Sequence, residues 1–262
     1  MLDKLNLRWN EQDLRRHLQP YVLGDLIGTG GVALVFGCRR EKDARHDLVI
    51  KFPRVPDDEE VFVMTWAACL DALVHEATVL SRCAGISGIV QLVADRSQDV
   101  LPHLVMPRLG DRLDERLGEN WDRPLDLEAS VRVLHGLAVT LRQMHRVGVS
   151  HGDVSPMNIL AGPGDSWVLI DPAPPELTTD DLGLRAVSGE ARDVLGLGGT
   201  FLCAYYGVAN YEEPPEDEVA ELEEHPELLR LVRRMLGRSR YSIPSSDHVA
   251  KVAARVLRRE FA

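Results

Sequence analysis

Two hydrophobic rhythms divide the chain. Tyr21 to Ile27, Ala33 to Cys38 and Leu48 to Phe52 are short runs rich in Val, Ile, Leu and aromatic residues, bounded by Gly, Asp or Arg. Runs of that length and make-up predict strands. Two more strands are predicted near Ile89 to Val93 and His103 to Met106. A helix is predicted from Glu59 to Cys83, closed by Gly85 and Gly88. Beyond that the rhythm becomes helical. Asp126 can cap a helix that runs to Arg146 and stops at Gly148. Its apolar positions Leu127, Val131, Leu134, Ala138 and Leu141 step by 4, 3, 4 and 3, which is one buried face. Trp167 to Ile170 reads as one more short strand. The pattern predicts an α+β chain with two lobes. A small β-rich lobe spans 21–107 and a larger α-rich lobe spans 108–262, with Pro107 to Gly110 as the hinge and residues 1–20 as an extension.

Composition narrows the classes. At 262 residues, 45% of them hydrophobic and 27% charged, the chain can bury a sizeable core. Acids outnumber bases 41 to 30, so a phosphate-backbone ligand is not expected and nucleic acid is set aside as a partner. The four cysteines, Cys38, Cys69, Cys83 and Cys203, lack the spacing of a zinc site or a disulfide framework, which fits a reducing cytoplasm. The N-terminus has no apolar signal-peptide core. The uncharged stretch from Val194 to Tyr211 reaches the length of a membrane span, yet its glycines and surroundings fit a buried helix better, and no membrane association is expected.

Three stretches carry chemistry. Gly28-Thr29-Gly30-Gly31 lies between two predicted strands, where glycines let a backbone turn tightly and approach a phosphate. A dinucleotide fold would place such a loop before a helix, so a hairpin covering a nucleotide fits this order better. Lys51 closes the run Leu48-Val49-Ile50 and can serve as a point charge for phosphate. Glu76 follows 25 residues later on the predicted helix. The most specific stretch is His151-Gly152-Asp153-Val154-Ser155-Pro156-Met157-Asn158-Ile159-Leu160, with Asp171 at the end of the strand after it. An acid able to act as base, an amide five residues on and a second acid supply hard oxygen donors that suit Mg²⁺.

Together, in this order and spacing, these motifs resemble the eukaryotic-like (bacterial-type) Ser/Thr protein kinase family across residues 21–260. The resemblance implies ATP and Mg²⁺ as cofactors and transfer of the γ-phosphoryl group to Ser or Thr of a protein substrate. It implies that Gly28, Gly30 and Gly31 shape the loop over the phosphates. Val35 and Val49 would pack on adenine from above and Leu160 from below, with Met106 in the hinge beside it. Lys51 would bind the α/β-phosphates, held by Glu76. Asp153 would accept the substrate hydroxyl proton, and Asn158 and Asp171 would hold Mg²⁺. Asp193-Val194-Leu195-Gly196 resembles the start of the central helix, where Asp193 would accept hydrogen bonds from the catalytic-loop backbone. His151 would be a packing residue of that loop. Leu228 to Leu236, then Pro244-Ser245-Ser246, resemble the two closing helices.

The chain departs from the family at four places. Ala33 replaces the third loop glycine. Gly152 stands where regulated members carry an arginine that reads a loop phosphate. Asp171-Pro172-Ala173 replaces Asp-Phe-Gly. Only 22 residues separate Asp171 from Asp193. No Ala-Pro-Glu ending is found, and Ile243 occupies the place of the arginine that would pair with its glutamate. A compact member with a short activation segment follows, in which Thr178, Thr179 and Ser188 are not expected to switch activity. Two other readings stay open. His-Gly-Asp with a nearby Asn also resembles aminoglycoside and choline kinases, which phosphorylate small molecules, and a pseudokinase would bind partners without transfer. Residues 212–227 hold nine acids and no Lys or Arg, a solvated face or a docking surface for a basic partner.

Overall fold

The computed structural model describes residues 11–45, 47–54, 65–174, 189–208 and 222–261. They fall into two compact units, Met1–Ala84 with Val90–Arg108, and Gly85–Ile89 with Leu109–Ala262. The architecture is α+β, with one five-stranded antiparallel sheet and a set of helices.

The first unit is built on that sheet. Strands β1 (Tyr21–Thr29), β2 (Ala33–Arg40), β3 (Leu48–Pro53), β4 (Ala94–Arg96) and β5 (His103–Pro107) stand in the order β1-β2-β3-β5-β4. Successive residues of β2 and β3 point to opposite faces. Leu34, Phe36, Ile50 and Phe52 are buried in one apolar cluster, with Phe36 and Phe52 packed edge to face at 6.0 Å. Burying side chains of this size contributes roughly 1.5–3 kcal/mol each. Leu14 and Leu18 of helix α1 (Glu11–Leu18) join that cluster, so the segment set apart as an extension supplies part of this core. Helix α2 (Trp66–Arg82) is capped by Thr65, whose hydroxyl accepts from the Ala68 amide, and it packs on β3. The predicted helix start at Glu59 lies outside the described residues.

The strand expected near Ile89 to Val93 is displaced. Ile89 and Val90 are buried without joining the large sheet, and the pairing with β5 begins at Ala94. Their apolar character reflects packing, and a strand ladder is not needed to explain it. Ile89 instead forms a lone parallel bridge to Leu169 within the second unit.

The second unit is helical around a two-stranded sheet. Helices α3 (Leu113–Leu117), α4 (Leu127–Arg146), α5 (Glu190–Tyr206), α6 (Pro226–Met235) and α7 (Ser246–Glu260) accompany β6 (Ile159–Ala161) paired with β7 (Trp167–Leu169). Asp126 caps α4 through the Ala129 amide, and Val131, Leu134, Ala138 and Leu141 are all buried on it. Helix α4 packs against both α5 and α7. The uncharged stretch is largely α5, with Leu197, Phe201 and Cys203 in the core. Among the described residues no helix is long and apolar enough to cross a membrane. All four cysteines are free and buried. Burial pushes the thiols of Cys38 and Cys203 up to about 12, with Asp47 adding to the effect at Cys38.

Candidate active site

In the first unit the sheet register gathers four of the singled-out residues on one face. Val35 lies opposite Lys51, Val49 lies opposite Met106, and Val49 and Lys51 are two residues apart on β3. Directly opposed and alternate residues point to the same side of a sheet, so Val35, Val49, Lys51 and Met106 share the face that does not hold Phe36 and Ile50. Helix α2 covers part of it, and Lys51 Nζ lies 2.7 Å from Glu76 Oε2 with both side chains only 4% exposed.

Hiding two charges costs several kcal/mol each before their attraction is counted. A Lys–Glu pair in an apolar interface is therefore a weak device for stability and calls for another reason. An ammonium held in place as a phosphate partner supplies one.

The glycine loop has a related signature. Its hairpin is tied by Gly30 N donating to Ala33 O at 2.9 Å and by Arg54, whose amide donates to Val32 O and whose guanidinium donates to Gly30 O. None of Gly28, Gly30 and Gly31 has a positive φ. A Cβ would meet nothing within 4 Å at Gly31, and nothing nearer than 3.6 Å at Gly30 or 3.7 Å at Gly28. The described chain thus does not itself require glycine at these positions. A bulky group lying against the loop backbone would, and a nucleotide phosphate fits that demand.

The second unit holds the other cluster. Asp153 is exposed, and Asn158 Nδ2 donates to its Oδ2 at 2.7 Å and to its carbonyl at 3.1 Å. With its nitrogen so engaged, the Asn158 amide has Oδ1 to offer a cation. Ile170 N donates to Asn158 O at 3.0 Å, which ties the stretch before Asp171 to the loop. Asp171 has a φ of 58°, a left-handed conformation that Asp tolerates better than most residues. The donor set offered by Asn158 and Asp171 is hard oxygen, which fits Mg²⁺. Leu160 sits on β6 opposite Val168.

The loop carrying Asp153 is fastened from α5. Asp193, 1% exposed, accepts the His151 amide on Oδ2 and the Gly152 amide on Oδ1, both at 2.8 Å. Arg192 Nε donates to Gly152 O at 3.1 Å. His151 is fully buried, with Nε2 donating to Ile170 O at 2.9 Å, and its carbonyl accepts from Ala173 N. Pro172 has no N–H, so Ala173 supplies this anchor of the Asp-Pro-Ala segment.

Two features were not singled out in the sequence. Gly152 has φ 84°, and a Cβ there would run into the carbonyl oxygen of Ala173. Glycine is demanded at this position by the backbone, beyond the mere absence of an arginine. His145 donates from Nε2 to Asp193 Oδ2 at 2.7 Å. Ile243 stands in the place of the pairing arginine, and the start of α7 is tied to α5 in another way: Ser246 N and Oγ donate to Glu190 Oε1 at 2.9 and 3.0 Å. Thr178, Thr179, Ser188 and residues 212–221 lie outside the described residues.

No protein-family model matches the chain. Against curated proteins it is 27% identical over 246 residues to the serine/threonine-protein kinase PknK of Mycobacterium tuberculosis, in each of two strains. The protein of the same name from Mycobacterium bovis is 26% identical over 246 residues. These matches cover 78% of this chain and 20% of each relative, so the chain spans about a fifth of the length of the curated relatives it matches. The likeness is distant, and it is to a protein kinase.

Proposed function

We propose that this chain is a protein-kinase-type phosphotransferase that moves the γ-phosphoryl group of ATP to a serine or threonine hydroxyl of a protein. The observation that carries the reading is Asp153, an exposed carboxylate oriented by Asn158 on a backbone that buried Asp193 holds from both adjoining amides. An exposed acid on a fixed backbone is what a positioned general base requires. The distant likeness to PknK supports the same direction.

In this reading residues 21–107 and 108–262 are the two lobes of one kinase domain. Lys51 receives the α/β-phosphates and Glu76 holds Lys51 in place. Gly28, Gly30 and Gly31 admit the phosphates close to the loop backbone. Val35, Val49 and Met106 offer one apolar sheet face to adenine, and Leu160 is assigned the same role from β6. Asn158 and Asp171 would hold Mg²⁺, which when bound neutralises charge on the phosphate oxygens. Asp153 orients the substrate hydroxyl and takes its proton as that oxygen bonds to the γ-phosphorus, while the bond to the β–γ bridging oxygen breaks and ADP leaves.

The test is incubation with γ-labelled ATP, Mg²⁺ and a cell lysate, separated into protein and small-molecule fractions. Label on protein Ser or Thr is expected, and Asp153→Asn should lower it by about 10²–10⁴. Label confined to small molecules would replace the protein-substrate reading with a metabolite kinase. No transfer by the wild-type chain would leave a binding module.

A further inference from the structure

The corner where α6 gives way to α7 gathers cations that no carboxylate of these two helices neutralises. Arg234, in the last turn of α6, is half-buried. Its Nε is shielded from water and meets no acceptor. Its Nη2 donates to Ser242 O at 3.4 Å, and its Nη1 lies 3.4 Å from His248 Nε2 on α7. Tyr241, 56% exposed, stands beside two guanidinium groups: Arg234 lies 6.0 Å and Arg240 5.0 Å from its ring centroid. Arg240 Nη2 also donates to the Tyr241 hydroxyl at 2.9 Å. The acids of α6 and α7 are already engaged. Asp247 pairs with Arg142 and Lys251, Glu227 with Arg255 and Arg259, and Glu260 with His225. Among the described residues Arg234 and Arg240 pair with no carboxylate.

Like charges gathered around one ring repel each other, and a bound anion relieves that repulsion. The ring attracts both guanidinium groups before any ligand arrives, so less side-chain freedom is lost on binding. Two uncompensated positive charges match a dianion. A phosphoryl group on serine or threonine carries about −1.5 to −2 charges near neutral pH and offers three acceptor oxygens, and a guanidinium fork fits phosphate. A carboxylate brings a single charge. An extended polyanion such as nucleic acid would meet a chain whose formal net charge is −11. We propose that Arg234, Arg240, Tyr241 and His248 form a docking site for a phosphorylated serine or threonine segment of a protein partner. Arg234 and Arg240 supply the charge, and the Tyr241 hydroxyl and the His248 ring border the site. Lys51, Asp153, Asn158 and Asp171 take no part in it, so the inference stands independently of the phosphotransferase reading.

The experiment uses the full chain and a dye-labelled nonapeptide of glycine and alanine with one central phosphoserine, followed by fluorescence anisotropy. Binding is expected, it should weaken as salt rises, and inorganic phosphate should compete with it. The same peptide with a central serine should bind at least about tenfold more weakly, and so should the peptide with a central glutamate, the size of one lost charge-assisted hydrogen bond. Arg240→Gln, at an exposed position, and Arg234→Gln should each weaken the phosphopeptide by at least about tenfold. Arg132→Gln on α4 should not. The His248 ring signals of the wild-type chain should shift as the phosphopeptide saturates it, a readout that needs no variant to fold. Equal affinity for the phosphoserine and serine peptides would overturn the site, as would unchanged affinity in Arg240→Gln with His248 signals that do not move. Tighter binding of the glutamate peptide, or of a short oligothymidylate, would overturn the choice of a phosphorylated protein segment. Asp153→Asn should bind the phosphopeptide as the wild type does. A wild-type chain that binds it but transfers no phosphoryl group would sink the kinase reading and leave this inference standing, and transfer without binding would do the reverse.

Discussion

Glu76 in the first unit and Asp193 in the second are both almost fully buried, and the protein neutralises them in opposite ways. Glu76 meets an ammonium, Lys51 Nζ at 2.7 Å. Asp193 meets backbone, the amides of His151 and Gly152, with the His145 ring completing its shell. An ion pair fixes where a side chain ends while its stem keeps its rotatable bonds. A carboxylate on two successive amides fixes the main chain itself. The first arrangement suits a charge that must settle onto a mobile ligand. The second suits a base whose direction must not drift, because misplacement of about 1 Å can cost roughly 10²-fold in rate.

Removing Asp193 should cost stability and transfer together. In Asp193→Asn one amide oxygen remains for two backbone donors, and the new NH₂ confronts the other donor. Charge-assisted hydrogen bonds contribute about 1.5–3 kcal/mol each, so a loss of at least about 3 kcal/mol in urea unfolding is expected, together with collapse of transfer. A stable variant with normal turnover would show that the loop is held by something other than this carboxylate.

The Lys51–Glu76 pair should behave differently. Lys51→Met and Glu76→Leu alone should each cost about 3–5 kcal/mol, because each leaves a buried charge behind. The double variant should recover much of that loss, since apolar replacements of similar volume often match a buried pair. Transfer should stay low in all three. A double-mutant cycle of unfolding free energies reads the coupling directly, and additive losses would mean that the two charges are not each other's support. No double substitution can rescue Asp193 in this way, because its main partners are backbone groups.

Gly152→Ala sharpens the backbone side of the contrast. A left-handed φ costs an ordinary residue roughly 1–2 kcal/mol, and here the methyl group also meets the Ala173 carbonyl. A loss of about 2 kcal/mol is expected, with kcat lowered more than KM because Asp153 is the next residue. Equal kcat in the two proteins would show that the loop tolerates a shift without moving its acid.

Legibility in the sequence follows the same divide. Strands β1, β2, β3 and β5 and helix α4 have enough apolar residues at regular spacing to be read locally. Helix α1 has two core leucines in eight residues, Leu14 and Leu18, too few for a periodic signal. Strand β4, Ala94-Asp95-Arg96, has no strand-like composition; it exists because β5 offers an edge to pair with. Lys51, Glu76, Asp153, Asn158 and Asp171 could be singled out because residue type and spacing carry information along the chain. The need for glycine at 152 could not, since it depends on Ala173 passing 21 residues later. His145 was invisible as a link for the same reason: its partners lie 48 and 101 residues away.

The smallest effect concerns a third way of handling a chargeable group, which is to keep it neutral. His103 on β5 is 2% exposed, packs against Phe52, and donates from Nδ1 to Leu101 O at 2.8 Å. Burial lowers its pKa below the usual 6.5, with the Leu101 hydrogen bond opposing that shift. Above 6.5 the ring is neutral whether the chain is folded or not, and it contributes no pH dependence. As pH falls below 6.5 the unfolded chain takes up a proton that the folded chain resists, so stability falls until the folded ring titrates as well. His135 and His248 are shifted the same way, chiefly by burial, so the wild-type slope is shared among the three. His103→Asn should therefore flatten the decline of unfolding free energy with falling pH below 6.5 without abolishing it. Parallel curves for variant and wild type would mean that His103 is charged in the folded sheet, and that the first unit tolerates buried charge beyond the Lys51–Glu76 pair.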